Sequence, residues 1–184
     1  MSEHENKKFT NVERLRSPER LGRLDLERVI ELCLAGEGDK LQKVLDVGTG
    51  SAVFAEAFAN KGLEVTGVDE NPEMLEAALR FVPQADLRQA SAEALPFSEG
   101  EFDLVFLGMV LHEVDDPVKT LEEARRVAKT RVAVLEWPYR EEEMGPPLAH
   151  RLKPETVAEL ARQAGLSRLE TLPLSHLVLY RMEQ

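Results

Sequence analysis

Apolar and polar positions along this chain fall into three regimes. Residues 1–11 are polar and charged with no apolar run behind them, the pattern of a frayed tail. Leu21, Leu24, Val29, Ile30, Leu32 and Leu34 then recur at near-helical spacing behind Ser17, a capping residue, and Pro18, which suits a first turn. A helix is predicted from there to the punctuation at Gly36 and Gly38. From residue 43 short apolar runs alternate with amphipathic stretches. Strands are expected at Lys43–Val47, Leu63–Val68, Asp86–Gln89, Phe102–Leu107 and Val132–Trp137, and helices at Val53–Asn60, Pro72–Phe81 and Pro117–Ala128. Residues 138–153, with three glutamates and four prolines or glycines, read as a loop or lid. Pro154–Ala164 is a helix with Gly165 at the position of a left-handed cap. Leu166–Leu172 and Leu177–Met182 are strands with only four residues between them.

Strands separated by helices imply a parallel sheet covered on both faces, and the last connection is too short for a crossover. The expectation is therefore an α/β, doubly wound, mostly parallel seven-stranded sheet with an antiparallel last strand. At 184 residues it forms one domain over 12–184. Within it, 12–40 is a helical lid segment, 43–137 the cofactor-binding core, 138–153 a loop or lid, and 154–184 the terminal helix and strand pair. Composition changes the picture mainly through charge. There are 34 acidic against 23 basic residues, a net −11, and residues 69–116 hold 12 acids against Arg80 and Arg88. Such a surface repels phosphate backbones and anionic lipid, so nucleic acid is not an expected partner. No apolar stretch is long enough to span a bilayer, and the first residues do not form a signal peptide, so a cytoplasmic protein is expected. The single cysteine, Cys33, falls on the apolar face of the first helix and cannot build a disulfide or zinc site alone.

The sharpest chemical signal is the run Val44–Ala52. An apolar strand ends in Asp46, and Gly48-Thr49-Gly50 opens a helix, so the backbone can pass close to a ligand at the sheet's carboxyl edge. A second strand ends in Asp69, 19 residues after Gly50, where a carboxylate can accept hydrogen bonds from both hydroxyls of an adenosine ribose. A dinucleotide fingerprint needs a third glycine where this chain has Val53, and Asp46 sits badly beside a pyrophosphate. A sulfonium cofactor carrying an amino group reverses that preference, which favours S-adenosylmethionine over NAD.

These residues resemble those of the class I S-adenosylmethionine-dependent methyltransferases, in the branch that includes quinone-biosynthesis C-methyltransferases. Asp46-Val47-Gly48-Thr49-Gly50 is similar to the family's first motif and Asp69 to its ribose-binding acid. Ala92–Phe97 matches the segment before the fourth strand, Phe102–Val105 that strand, and Leu111–Val114 the turn after it. The resemblance implies cofactor contacts at Asp46, Gly48, Thr49, Gly50, Asp69, Glu70, Ser91, Ala92, Glu93 and Leu107, with S-adenosylhomocysteine as product. Ala52 stands where the motif often has its last glycine, and Ser91 where relatives place an aspartate that receives the adenine amino group.

Methyl transfer from a sulfonium needs mostly alignment and exclusion of water, with a base only where the acceptor must lose a proton. A small-molecule acceptor approaching the tips of the fourth and fifth strands would meet Leu107, Gly108, His112, Glu113, Glu136 and Trp137. Among these His112 is the candidate catalytic base, because imidazole titrates near neutrality. His112-Glu113 is not a zinc motif, since position 116 is Asp, and no metal is expected. Arg16 and Arg20 could reach an acidic substrate, while Tyr139, Arg140 and His150 could enter a lid. The rival reading is a degenerate protein of this fold acting as a binding or scaffold partner.

Overall fold

The computed structural model describes residues 12–37 and 40–183; the expected tail over residues 1–11 and the punctuating Gly38 lie outside the described residues. Seven strands form one sheet: β1 (Lys43–Val47), β2 (Glu64–Asp69), β3 (Asp86–Gln89), β4 (Phe102–Gly108), β5 (Ala128–Glu136), β6 (Ser167–Pro173) and β7 (Val178–Glu183). Their order is β3-β2-β1-β4-β5-β7-β6. Strands β1 to β5 pair in parallel, while β7 runs antiparallel to both β5 and β6. The doubly wound sheet with its antiparallel last strand is thus the one expected. Its winding reverses between β1 and β4, the place where open α/β sheets bind ligands.

Period-two alternation divides the core. Val44, Leu104, Phe106, Ala133 and Leu135 face one layer of helices, together with Phe54 and Phe58 of α4 (Val53–Asn60). Leu45, Val47, Val105, Leu107, Val132 and Val134 face the other, formed by α6 (Pro117–Val127) and α7 (Pro154–Gln163). Between β2 and β3 runs α5 (Pro72–Ala78), capped by Asn71, whose side chain accepts from the Glu73 amide.

The amino-terminal segment departs from the single helix expected after Ser17. It forms three short pieces, α1 (Val12–Leu15), α2 (Pro18–Arg23) and α3 (Leu26–Leu34). Ser17 does cap α2, but the chain breaks at Asp25, which takes a left-handed φ of 48°. That break lets Leu24 and the Val29, Ile30 and Cys33 face of α3 all bury against the first layer.

What anchors α3 is a pair of arginines from the far strands. The last carbonyls of a helix lack partners within it and carry the negative end of its dipole. Arg131 donates to the carbonyls of Cys33 at 2.7 Å and Ala35 at 2.9 Å. Arg181 donates to those of Leu32 at 3.0 Å and Ala35 at 3.1 Å. Arg131 is buried, so its loss strands the Cys33 carbonyl away from water, while Ala35 keeps Arg181. Arg131→Met is expected to lower the unfolding free energy by about 2–4 kcal/mol in urea titration. A change below about 0.5 kcal/mol would show that α3 is held by its apolar face alone.

Candidate functional site

A cavity of about 610 Å³ opens at the carboxyl edge of the sheet, centred on the β1/β4 reversal. Each wall follows one strand. Asp46, Gly48, Thr49, Gly50 and Ser51 come from the tip of β1, Asp69, Glu70 and Asn71 from β2, and Ala90 to Glu93 from β3. Gly108, Met109, Val110 and His112 to Asp115 follow β4, and Trp137 follows β5. Leu15 and Arg20 of the amino-terminal segment complete the lining.

The turn after β1 is shaped by close approach. Gly48 has φ +67°, and a Cβ there would run into Val110 of the opposite wall. Ala52 also lies in the left-handed region, at φ 59°. The glycine that relatives often carry at this position therefore answers a backbone conformation, and not only the room for one methyl group. Beside this turn Asp46 is buried, and its carboxylate accepts from the Thr49 hydroxyl at 2.7 Å. Burial pushes its pKa up to about 7, a rise that the Thr49 and Ala55 hydrogen bonds only partly offset and the Asp69 charge reinforces. Asp69 is oriented by two backbone amides, accepting from Gly50 and from Asn71, each at 2.9 Å. Glu93 accepts from the Asp116 amide at 2.8 Å and so ties the β3 wall to the β4 wall.

At the other end stands His112. Its Nδ1 lies 2.8 Å from Glu136 Oε2, its amide donates to Glu136 Oε1 at 3.2 Å, and its Nε2 is 3.7 Å from Glu113 Oε1. Burial works against the imidazolium, but the Glu136 hydrogen bond and the Glu136 and Glu113 charges outweigh it, against a small opposing effect of Arg151. The His112 pKa is therefore raised above its ordinary value.

Two expected site residues belong elsewhere. Leu107 is buried in the layer of α6 and α7, and Glu136 is buried behind His112; neither lines the cavity. The pleat is the reason, because the residues adjoining them in the chain, Gly108 and Trp137, are the ones turned to the cavity side. Glu136 instead contacts the His112 imidazole from behind. Arg16 pairs with Glu56 and lies over the Phe81 ring, 3.5 Å from its centroid, while Arg20 enters the cavity lining. Tyr139 and His150 are exposed and Arg140 pairs with Glu142, all outside the lining. The 138–153 segment instead gathers around buried Arg151, which donates to the carbonyls of Pro138, Arg140, Met144 and Pro146. Among the described residues no group of three His, Cys, Asp or Glu is placed to hold a metal ion, and no helix is long and apolar enough to cross a membrane. Phe54, Met74, Met109 and Val114 also line the cavity; their apolar spacing marks them only as core residues.

Residues 45–135 match a family model described as a methyltransferase domain. The chain has the fold of a class I methyltransferase domain. Similar relatives include a demethylmenaquinone methyltransferase of Renibacterium salmoninarum, 39% identical over 88 residues, which are 48% of this chain and 37% of that protein. An uncharacterized methyltransferase of Synechocystis is 47% identical over 73 residues, 40% of this chain and 34% of that one. The chain thus spans well under two thirds of the curated relatives it matches. Among solved structures, a methyltransferase described as SAM-dependent from Aquifex aeolicus superposes with a TM-score of 0.83 at 24% identity, covering 96% of this chain and 99% of that one. At that identity the likeness establishes the shared fold.

The Asp46 environment makes the stability of this domain pH-dependent. The native carboxyl keeps its proton up to about pH 7, whereas in the unfolded chain it ionises near 3.8. The folded state therefore binds more protons across that window, and stability falls as pH rises through it. Asp46→Asn keeps an acceptor for Thr49 and removes the buried charge. In thermal melts at pH 8 without ligand it is expected to be more stable than the wild type, by on the order of a few kcal/mol, with the gain vanishing near pH 4. An equal gain at both pH values would assign it to packing instead.

Proposed function

We propose that this chain transfers a methyl group from S-adenosylmethionine to a small organic acceptor, leaving S-adenosylhomocysteine. The observation that carries the proposal is a cavity at the sheet reversal lined by Asp46, Asp69, Glu70, Glu93, Glu113 and Asp115. An acidic, partly desolvated cavity suits a cationic cofactor and disfavours a pyrophosphate. When bound, the cofactor supplies a methyl group already activated on a sulfonium. Asp69, held by two amides, receives the ribose hydroxyls. Glu70, Ser91, Ala92 and Glu93 take the adenine side, and Asp46, Gly48, Thr49 and Gly50 border the remainder. Relatives named demethylmenaquinone methyltransferases support an organic small molecule as acceptor, and the net charge of −11 argues against nucleic acid.

On the acceptor side, Trp137 forms an aromatic wall and His112 presents Nε2. Glu136 holds the Nδ1 proton, fixes the tautomer and stabilises the imidazolium formed when Nε2 accepts a proton from the acceptor. A raised His112 pKa means that the neutral, base-competent ring accumulates only as pH climbs above the ordinary imidazole range. Turnover of an acceptor that must lose a proton accordingly rises with pH through that value.

Calorimetry tests the cofactor. Binding of S-adenosylmethionine, absence of binding of NADH, and a loss of about tenfold to a hundredfold on Asp69→Ala are expected, the scale of charge-assisted hydrogen bonds. Binding of neither cofactor would favour a scaffold role. NMR titration tests the base. The His112 ring should titrate above 6.5, and Glu136→Gln should move it below that value as burial comes to dominate. An unmoved titration would remove Glu136 from the positioning role.

A further inference from the structure

The cavity is crowded with carboxylates, which raises a problem for half of the proposed cofactor. Its sulfonium and ammonium groups are welcome there; its own carboxylate is not. Among the described lining residues Arg20 is the sole arginine or lysine. We infer that Arg20 is the receptor for the carboxylate at the methionyl end of the cofactor, an inference that rests on the S-adenosylmethionine reading above.

Three observations place it there. The first is the order of the walls. With the adenine side on the β3 wall and the ribose at Asp69 on the β2 wall, the far end of the molecule falls at the β1/β4 reversal. Arg20 sits at that reversal. Its Nη1 donates to the Leu15 carbonyl at 3.0 Å, and its Nη2 lies 3.9 Å from Met109 Sδ, just past β4. A Cβ on Gly50, in the turn after β1, would lie 3.6 Å from the Leu15 side chain, so the segment that carries Arg20 rests directly on that turn.

The second observation is chemical. A guanidinium offers five N–H donors in a planar fork that matches a carboxylate in a bidentate pair. Here one goes to a carbonyl and one to a weakly accepting thioether. The third is electrostatic. Burial disfavours the Arg20 cation, while the Glu113 charge supports it and Arg14 opposes it. An anion delivered to this position relieves a desolvated cation in a lining otherwise made acidic by six carboxylates. Arg16, four residues earlier in the chain, is occupied by Glu56 and Phe81.

The test compares two nucleosides by calorimetry on the full chain. S-adenosylhomocysteine carries the carboxylate, whereas methylthioadenosine keeps the adenine, ribose and thioether but lacks the amino-acid end. Arg20→Gln should weaken S-adenosylhomocysteine by about tenfold or more and leave methylthioadenosine within about twofold, with Arg20→Lys recovering part of the loss. Retained methylthioadenosine binding also reports that the variant is folded. Should Arg20→Gln fail to fold, Arg20→Lys carries the comparison, and a loss selective for S-adenosylhomocysteine is again expected. Unchanged S-adenosylhomocysteine affinity would overturn the inference and leave Arg20 to an anionic acceptor. Equal weakening of both ligands would overturn it too, as a general distortion of the cavity. A wild-type chain that binds methylthioadenosine as tightly as S-adenosylhomocysteine contradicts the inference while sparing the cofactor reading; one that binds neither removes both.

Discussion

Side chains on a strand alternate between its two faces, and at the tips of β1, β4 and β5 this alternation decides what the cavity contains. Asp46, Gly48 and Gly108 belong to the cavity wall, and so does Trp137, one residue past β5. Their chain neighbours Leu107 and Glu136 turn to the opposite layer. A one-residue slip in any of these strands would exchange the two sets and bury the wrong chemistry. The His112–Glu136 pair exists because of the same rule. The turn after β4 brings an imidazole to the cavity rim, and the pleat of β5 sets a carboxylate directly behind it.

Electrostatics gives the cavity its selectivity. The walls supplied by the tips of β1 to β4 are acidic, and one of their carboxylates, Asp46, is buried deeply enough to hold its proton near neutrality. Such a site is poorly suited to phosphates and well suited to a ligand that brings positive charge, which then finds the carboxylate ionised. The fold alone does not settle this. A structure described as a [4+2]-cyclase shares it with a TM-score of 0.67 at 24% identity, so the reading rests on the lining residues and not on the architecture.

Much of the fold was legible in the sequence because strand and helix periods differ and the connections are short. The alternation of Lys43–Val47 with Val53–Asn60, and the four-residue link before the last strand, were enough to anticipate a parallel sheet with an antiparallel end. The glycine turn was legible because close backbone approach leaves a residue-type signature, and Asp69 because it stands where the apolar run of β2 stops. Less visible was anything set by tertiary direction. No local signal distinguishes Leu107 from Gly108 as the residue facing a ligand until the register of β4 is known. Nor does spacing reveal that the segment after Ser17 breaks at Asp25 and sends Arg20 over the sheet edge while Arg16 is spent on Glu56. That path is fixed from a distance, by Arg131 and Arg181 holding the end of α3.

The four carbonyls gathered by Arg151 have a consequence for divergence within this fold. They come from Pro138, Arg140, Met144 and Pro146, so one side chain organises the whole excursion between β5 and α7. Gly145 in that excursion lies so near the Trp137 indole that a Cβ would come within 2.8 Å of it. The segment that backs the aromatic wall is therefore knit by its own Arg151 and tied outward at a few side chains, from Arg140 to the Ser175 carbonyl and from Glu142 and Glu143 to Arg23. Replacing it wholesale would recontour the Trp137 end of the cavity without touching Asp46, Asp69 or the glycine turn, so one end of the cavity can diverge while the other stays fixed.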